Sequence, residues 1–259
     1  MNRLSNAMNE IYELDELAER KKLINELHPL VKLFITLFYI ICVVSFDKYD
    51  LFGLLPMIIY PLITFNIADI SIKKGFKKLR IVIPMVCILG LFNPILDRTA
   101  ISNLYGVAVS GGFVSMLTLI LKGILSLLAS FLLIATTGID SLCYALKKLH
   151  IPGIIVTQIH LLYRYITVLL SEANSVFEAY SLRAPKEKGI KYKIWGTLLG
   201  QLLFRSLDRA EKIYDSMLLR GFTGEFYYAG RQKWNRMDGL YFLLWLMIIA
   251  SIKLLNIVL

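Results

Sequence analysis

The sequence predicts an all-α, polytopic membrane protein: about five transmembrane helices, with a cytoplasmic helical region between the fourth span and the last. Three observations carry this. Of the 259 residues 57% are hydrophobic and the mean hydropathy is +0.62, against about 45–50% apolar residues in an ordinary soluble domain. The apolar residues are gathered into long runs, as spans require. The formal net charge of +10 collects in segments between those runs, one of which keeps a helical period of polar and apolar residues.

Residues 1–29 form a polar, cytoplasmic N-terminal segment with an apolar stripe of Ile11, Leu14 and Leu17. It is either a short amphipathic helix on the membrane surface or a loosely ordered tail. No secretory apolar region is seen there, so no cleaved signal is expected. Residues 30–137 hold the first four spans. Leu30–Phe46 is the first, and after the short link Asp47–Asp50 the second is Leu51–Ile67, with Pro56 and Pro61 inside it. Prolines are tolerated there when neighbours satisfy the freed carbonyls. Between Ala68 and Arg80 a loop carries Lys73, Lys74, Lys77, Lys78 and Arg80 against one acid, Asp69. The positive-inside rule makes it cytoplasmic. Leu79–Leu96 is the third span and ends in Asn93-Pro94, ahead of a link at 97–106. The fourth run, Val107–Thr137, is apolar except for Lys122. As one helix it would be roughly 45 Å long. A tilted or extended helix and a helix broken near Gly111-Gly112 both fit.

Residues 138–237 carry 15 Lys or Arg against 8 acids and hold three helices. Asp140–Leu149 stops before Pro152, the second runs from about Gly153 to Leu182 before Pro185, and the third from about Ile194 to Arg220. The third ends at Gly221, a good C-terminal glycine. Residues 238–259 make the last span, entered through Trp234, Tyr241 and Trp245, which suit an interfacial belt. The charge distribution puts the N-terminus inside and the C-terminus outside.

Catalysis needs converging groups, and the sequence offers no paired carboxylates, no Ser or Cys beside a His, no phosphate loop and no metal-ligand cluster. The expectation is therefore no catalytic residue, no metal site and no cofactor in this chain. Cys42, Cys87 and Cys143, like His28, His150 and His160, are scattered, which argues against a disulfide framework. His160 and Arg164 share a helix face, but His160 reads as a packed or interfacial histidine. Lys122 is the one charge deep in an apolar run. Such charges are costly and often functional, or they face a water-filled groove or snorkel. The basic residues lie between spans, so nucleic acid is not expected as a partner, whereas membrane lipid or an acidic protein is.

The second and third cytoplasmic helices end alike: Ser181-Leu182-Arg183-Ala184 and Leu218-Leu219-Arg220-Gly221. An arginine in a last turn complements the helix dipole. Two of them suggest paired contacts with two copies of a partner, for which the guanidinium fork is suited.

At these residues the chain resembles the transmembrane T component of energy-coupling factor (ECF) transporters, the CbiQ-like family. The matching signatures are Leu182-Arg183-Ala184 and Leu219-Arg220-Gly221, set against an Ala-Arg-Gly pattern. Leu27-His28-Pro29-Leu30-Val31-Lys32-Leu33, Phe92-Asn93-Pro94, Thr136-Thr137 and Arg209-Ala210-Glu211 add to the resemblance. The departures are leucine at both first positions and Ala184 in place of glycine. The resemblance implies a non-catalytic subunit that joins two ABC-type ATPase subunits to a separate substrate-binding membrane subunit. Arg183 and Arg220 would dock on the ATPases, and those partners would bind the ATP. It leans toward the cobalt or nickel branch, in the cell membrane of a prokaryote. A stand-alone secondary transporter would show internal repeats. An embedded transferase or protease would need polar residues at one depth. A scaffold for an acidic protein or anionic lipid is the rival that the sequence excludes least.

Overall fold

A computed structural model describes residues 2–20, 22–80, 82–96, 100–104, 107–185, 191–226 and 234–258. The chain is all-α apart from one two-stranded ribbon, in the order α1 (Asn2–Glu19), α2 (Pro29–Val44), α3 (Leu51–Leu54), a 3-10 turn (Leu55–Ile58) and α4 (Ile59–Ala68), followed by α5 (Ile72–Leu79), α6 (Val82–Leu91), α7 (Asn93–Leu96), β1 (Ala100–Leu104) and β2 (Val107–Ser110), and then α8 (Gly111–Thr137), α9 (Ile139–Lys148), α10 (Gly153–Arg183), α11 (Tyr192–Leu219) and α12 (Arg236–Val258). It divides into two compact units: residues 1–16 with 139–230, and residues 17–138 with 231–259.

In the second unit, α8 packs against α2, α4 and α6, and α12 packs against α2. The core between them is built on Tyr39, Tyr60 and Trp245, with Val31, Ile35 and Leu125 around them. Tyr39 and Tyr60 have ring centroids 4.5 Å apart, and Trp245 meets Tyr60 edge-on at 4.9 Å. Trp245, expected in an interfacial belt, is instead 2% exposed, and Tyr241 packs beside the core. The sequence pattern could not show that an aromatic from α12 fills the gap left between α2 and the Leu51–Ala68 helix. Trp234 stays exposed, its ring 5.7 Å from His28. On the outer surface, Ile41, Phe52, Met85 and Leu243 are exposed. That is an apolar exterior suited to lipid.

Pro61 has no N–H to offer the carbonyl four residues back, on Met57. The Tyr39 hydroxyl fills that vacancy, donating to the Met57 carbonyl at 2.9 Å. The helix continues through the proline, and Leu51–Ala68 is long and apolar enough to cross a membrane.

Several predicted elements change. The basic loop at 68–80 contains α5, which presents Lys73, Lys74 and Lys77 on one helix. Asp69 takes a left-handed backbone (φ 54) at the end of α4, and its carboxylate accepts from Lys22 Nζ at 2.8 Å. That bond holds the Asp69 carboxyl below the usual carboxylate range. The predicted third span is split into α6 and α7 at Phe92, where Pro94 interrupts the ladder and the Asn93 side chain turns to Ser115 Oγ at 3.1 Å. The fourth run begins as a strand: Val107–Ser110 pairs antiparallel with Ala100–Leu104, and the helix starts at Gly111. β-branched Val107 and Val109 suit a ladder, and the double glycine marks the switch. Asp97 and Arg98 of the predicted link lie outside the described residues.

Among the described residues four helices are long and apolar enough to span: Leu51–Ala68, Gly111–Thr137, Gly153–Arg183 and Arg236–Asn256. Pro29–Val44 and Val82–Leu91 are shorter apolar helices. The third of the four was expected in the cytoplasm. Its first half, with Ile154, Ile155 and Leu162, gives it the hydropathy of a span, while its second half carries Glu172, Glu178 and Arg183. Together these elements make a multi-pass membrane protein.

Lys122 caps a helix. The last carbonyls of α2 have no helical partner, and Lys122 Nζ donates to the Val44 carbonyl at 3.2 Å and to that of Phe46. Lys253 donates to the Ser45 carbonyl between them at 2.9 Å, and lies 4.2 Å over the Phe46 ring. Two cations thus complete the negative end of one helix.

Candidate functional site

The first unit contains α9, α10, α11 and the segment after α11. Three contacts fix the direction of α11 against α10. Phe177 meets Trp195 at 5.8 Å, Glu172 Oε1 takes the Arg209 guanidinium, and Leu161 and Tyr165 share a cavity wall with Ile213 and Met217. Residue numbers rise along α11 as they fall along α10, so the two helices run antiparallel.

That places the two signatures at opposite ends of the pair. Arg183 and Arg220 each lie eleven residues beyond the Glu172–Arg209 contact, in opposite directions. At 1.5 Å per residue the two are on the order of 30 Å apart. Both ends are open: Leu182 is 81% exposed and Leu219 90%, and Arg183 and Arg220 are exposed with them.

The two ends are built differently. After α11 the chain closes as a Schellman motif: Phe222 N–H donates to the Met217 carbonyl at 3.0 Å and Gly221 N–H to that of Leu218 at 2.9 Å. Gly221 has φ +81, a conformation costly for any residue with a Cβ. At the end of α10, Ala184 donates its N–H to the Tyr180 carbonyl at 3.0 Å and has φ −129, ψ 60. A negative φ calls for no glycine, and Pro185 drives the residue before it out of the helical region. The glycine that the family pattern places at 184 therefore has no conformational task here, and alanine serves.

The segment behind Gly221 is tied down. Lys147 of α9 bridges Glu225 at 2.9 Å and donates to the Phe226 carbonyl at 3.1 Å. The Phe226 ring meets His160 edge-on at 5.2 Å, and Asp140 Oδ1 lies 3.1 Å from His160 Nδ1. His160 is thus a packed residue of this joint, and Arg164 lies apart from it on a cavity wall.

In the second unit, the His28-Pro29 lead-in is a joint as well. Asp238 accepts from His28 N–H at 2.9 Å and from Asn235 N–H at 2.8 Å. The second bond is half of a capping box on α12. His28 caps α2 through Nδ1, and Pro29 stands at its first turn. Buried Lys32 donates to the carbonyls of Thr136, at 2.8 Å, and Asn25, at 3.2 Å. Sequence reasoning did not single out Lys32, Asp238 or the Glu172–Arg209 pair as structural ties. Their long-range partners, Arg209 for Glu172, Thr136 for Lys32 and His28 for Asp238, lie 37, 104 and 210 residues away, and no local pattern signals those pairings. Among the described residues no three His, Cys, Asp or Glu side chains converge as a metal site, and Cys42, Cys87 and Cys143 are not joined in a disulfide.

Comparison with known proteins adds to this geometry. The chain is 26% identical over 204 residues to the uncharacterised protein MJ1571 of Methanocaldococcus jannaschii, covering 75% of this chain and 70% of that one. It is 30% identical over 91 residues to the nickel permease LarQ of Lactiplantibacillus plantarum, covering 35% of this chain and 33% of LarQ. A further uncharacterised protein of M. jannaschii, MJ1089, is 31% identical over 91 residues, again 35% of this chain and 34% of its own length. The CbiQ family, described as cobalt transport protein, matches residues 20–229, and the chain belongs to that family.

Proposed function

We propose that this chain is the membrane coupling subunit of an ECF-type ABC importer for cobalt or nickel. The observation that carries the reading is the placing of Arg183 and Arg220. Two exposed helix-end arginines stand at opposite ends of one antiparallel pair, on the order of 30 Å apart by helical rise. Two ATPase subunits, each with an acidic groove, would take one arginine each. Leu182 and Ala184, and Leu219 and Gly221, would flank the contacts. The partners would bind ATP, and this chain would need no cofactor or catalytic group. Movement of the ATPases would pull on both ends of the α10–α11 pair. An antiparallel pair joined by side chains can slide or rotate, and that motion would pass to a separate membrane subunit that binds the ion. Cobalt or nickel is supported by the family description and by the name of the LarQ relative. The reading has the N-terminus inside, in the plasma membrane of a prokaryote.

The test is co-purification. With the tagged chain expressed beside its genomic neighbours, a pair of ATPases is expected to follow the wild type and to be lost from Arg183→Glu/Arg220→Glu at equal membrane levels. ATPase retention undiminished in the double variant would overturn the docking assignment.

A further inference from the structure

The joint behind the second signature borders an open cavity of about 470 Å³ between α10, α11 and the segment 221–226. Its floor is apolar, with Leu161, Ile213, Met217 and Phe222. Its walls are cationic. Arg164 enters from α10, and Arg209, Lys212 and Arg220 enter from α11, where spacings of three and eight residues set them along one face. Arg209 is committed to Glu172, and the acid on the wall, Glu225, is committed to Lys147. Arg164, Lys212 and Arg220 have no carboxylate partner among the described residues. Three like charges around one small cavity repel each other unless an anion lies between them.

We propose that this cavity binds a phosphate group carried on an apolar moiety. The guanidinium forks of Arg164 and Arg220 and the Lys212 ammonium would hold the phosphate oxygens, and the apolar floor would take the rest. The headgroup region of an anionic phospholipid and a soluble organic phosphate both have this chemistry. The inference shares Arg220 with the docking reading, and its test is therefore placed on Arg164 and Lys212, which belong to neither signature.

The full chain, reconstituted in nanodiscs of zwitterionic lipid, is titrated with two probes: a short-chain phosphatidylglycerol and inorganic phosphate. Saturable binding of at least one is expected, weakened about tenfold or more in Arg164→Gln/Lys212→Gln, as befits the loss of two charge-assisted bonds. Lys73→Gln/Lys77→Gln removes the same charge from α5 and is expected to leave binding unchanged. Arg164→Lys, which keeps the charge at an exposed position, is expected to retain most of it. Binding of the lipid alone identifies a headgroup site, and binding of phosphate alone a soluble ligand. Saturable binding of neither probe overturns the proposal, as does equal weakening by the α5 control. ATPase retention is measured on the same variants. A double variant that loses the ATPases yet binds both probes as wild type does would make the patch a protein contact and would also overturn the proposal.

Discussion

Replacing Gly221 by alanine isolates the one place where a signature residue is dictated by backbone geometry. A Cβ added there meets nothing within 4 Å, so no clash contributes to the cost. What remains is the left-handed conformation, φ +81, which costs a residue with a Cβ about 1–2 kcal/mol. Alanine also restricts the unfolded chain, which offsets about 0.4–1 kcal/mol of that. The net loss is about 1 kcal/mol, or roughly a fivefold rise in opening of the last turn. It falls on the two amides that close the motif, those of residues 221 and 222, bonded to Leu218 and Met217. Hydrogen exchange on the reconstituted chain should show those amides exchanging several-fold faster, with α10 unaffected. The counterpart is Ala184→Ser, at φ −129, which should leave exchange at the Ala184 amide unchanged. If Gly221→Ala leaves residues 221 and 222 as protected as before, or if the 184 variant loosens its helix equally, the claim that the two ends differ in kind is wrong.

Three further outcomes are expected. Spin labels on cysteines placed at the exposed positions Leu182 and Leu219 should report a separation on the order of 30 Å between the helix ends, measured by pulsed electron resonance with the native thiols replaced. A distance under about half of that would mean that the helices do not run antiparallel. Lys122→Met leaves the Val44 and Phe46 carbonyls without their cation; the Phe46 contact is part-buried, and an unsatisfied buried group costs about 1–3 kcal/mol, whereas the Val44 contact is exposed and contributes little. The thermal unfolding midpoint in detergent should fall, with Lys122→Arg milder, and an unchanged midpoint would contradict the capping role. Lys147→Met frees both Glu225 and the Phe226 carbonyl. The ion pair is half exposed and worth little, so the loss of stability should be small. Proteolysis of the 222–226 segment should nevertheless speed up, and unchanged cleavage would show that Lys147 is not what fixes it.

Much of the helical layout could be read in the sequence, because the signals are local. Pro185 stops α10 at Arg183, Gly221 stops α11, and Pro152 separates α9 from α10. Each acts through its own backbone, without regard to what packs nearby. The elements that changed depend on distant partners or on competing local choices. Trp245 looked like an interfacial residue until Tyr60 took its edge. Lys122 looked like an isolated intramembrane charge because the carbonyls it serves belong to residues 44 and 46, 78 and 76 positions away along the chain. The split of the third span was half legible: Asn93-Pro94 was noted, but the hydropathy of Leu79–Leu96 runs on through the break. At Gly111 the sequence left one helix or two open, and the strand Val107–Ser110 exists only because Ala100–Leu104 pairs with it. The arginines were legible as helix-end residues. Their separation was not, because it depends on the antiparallel sense of α10 and α11.

On the proposed reading, in which partners pull on Arg183 and Arg220, that separation and the differing ends would have a joint consequence for force transmission. A load applied at Arg220 enters a Schellman cap, and through residues 222–226 it reaches α9 by way of Lys147. A load at Arg183 enters α10 directly, at a helix end held by one backbone bond from Ala184 to Tyr180. Between them the pair is joined at Glu172–Arg209 and Phe177–Trp195, contacts made by long side chains. Long side chains allow some angular change without loss of contact, whereas a tightly meshed helix pair responds by jumping between discrete packings. The sequence follows this division. Glycine stands where the left-handed turn would tie the load to a neighbouring helix, and alanine where the load would run straight along one.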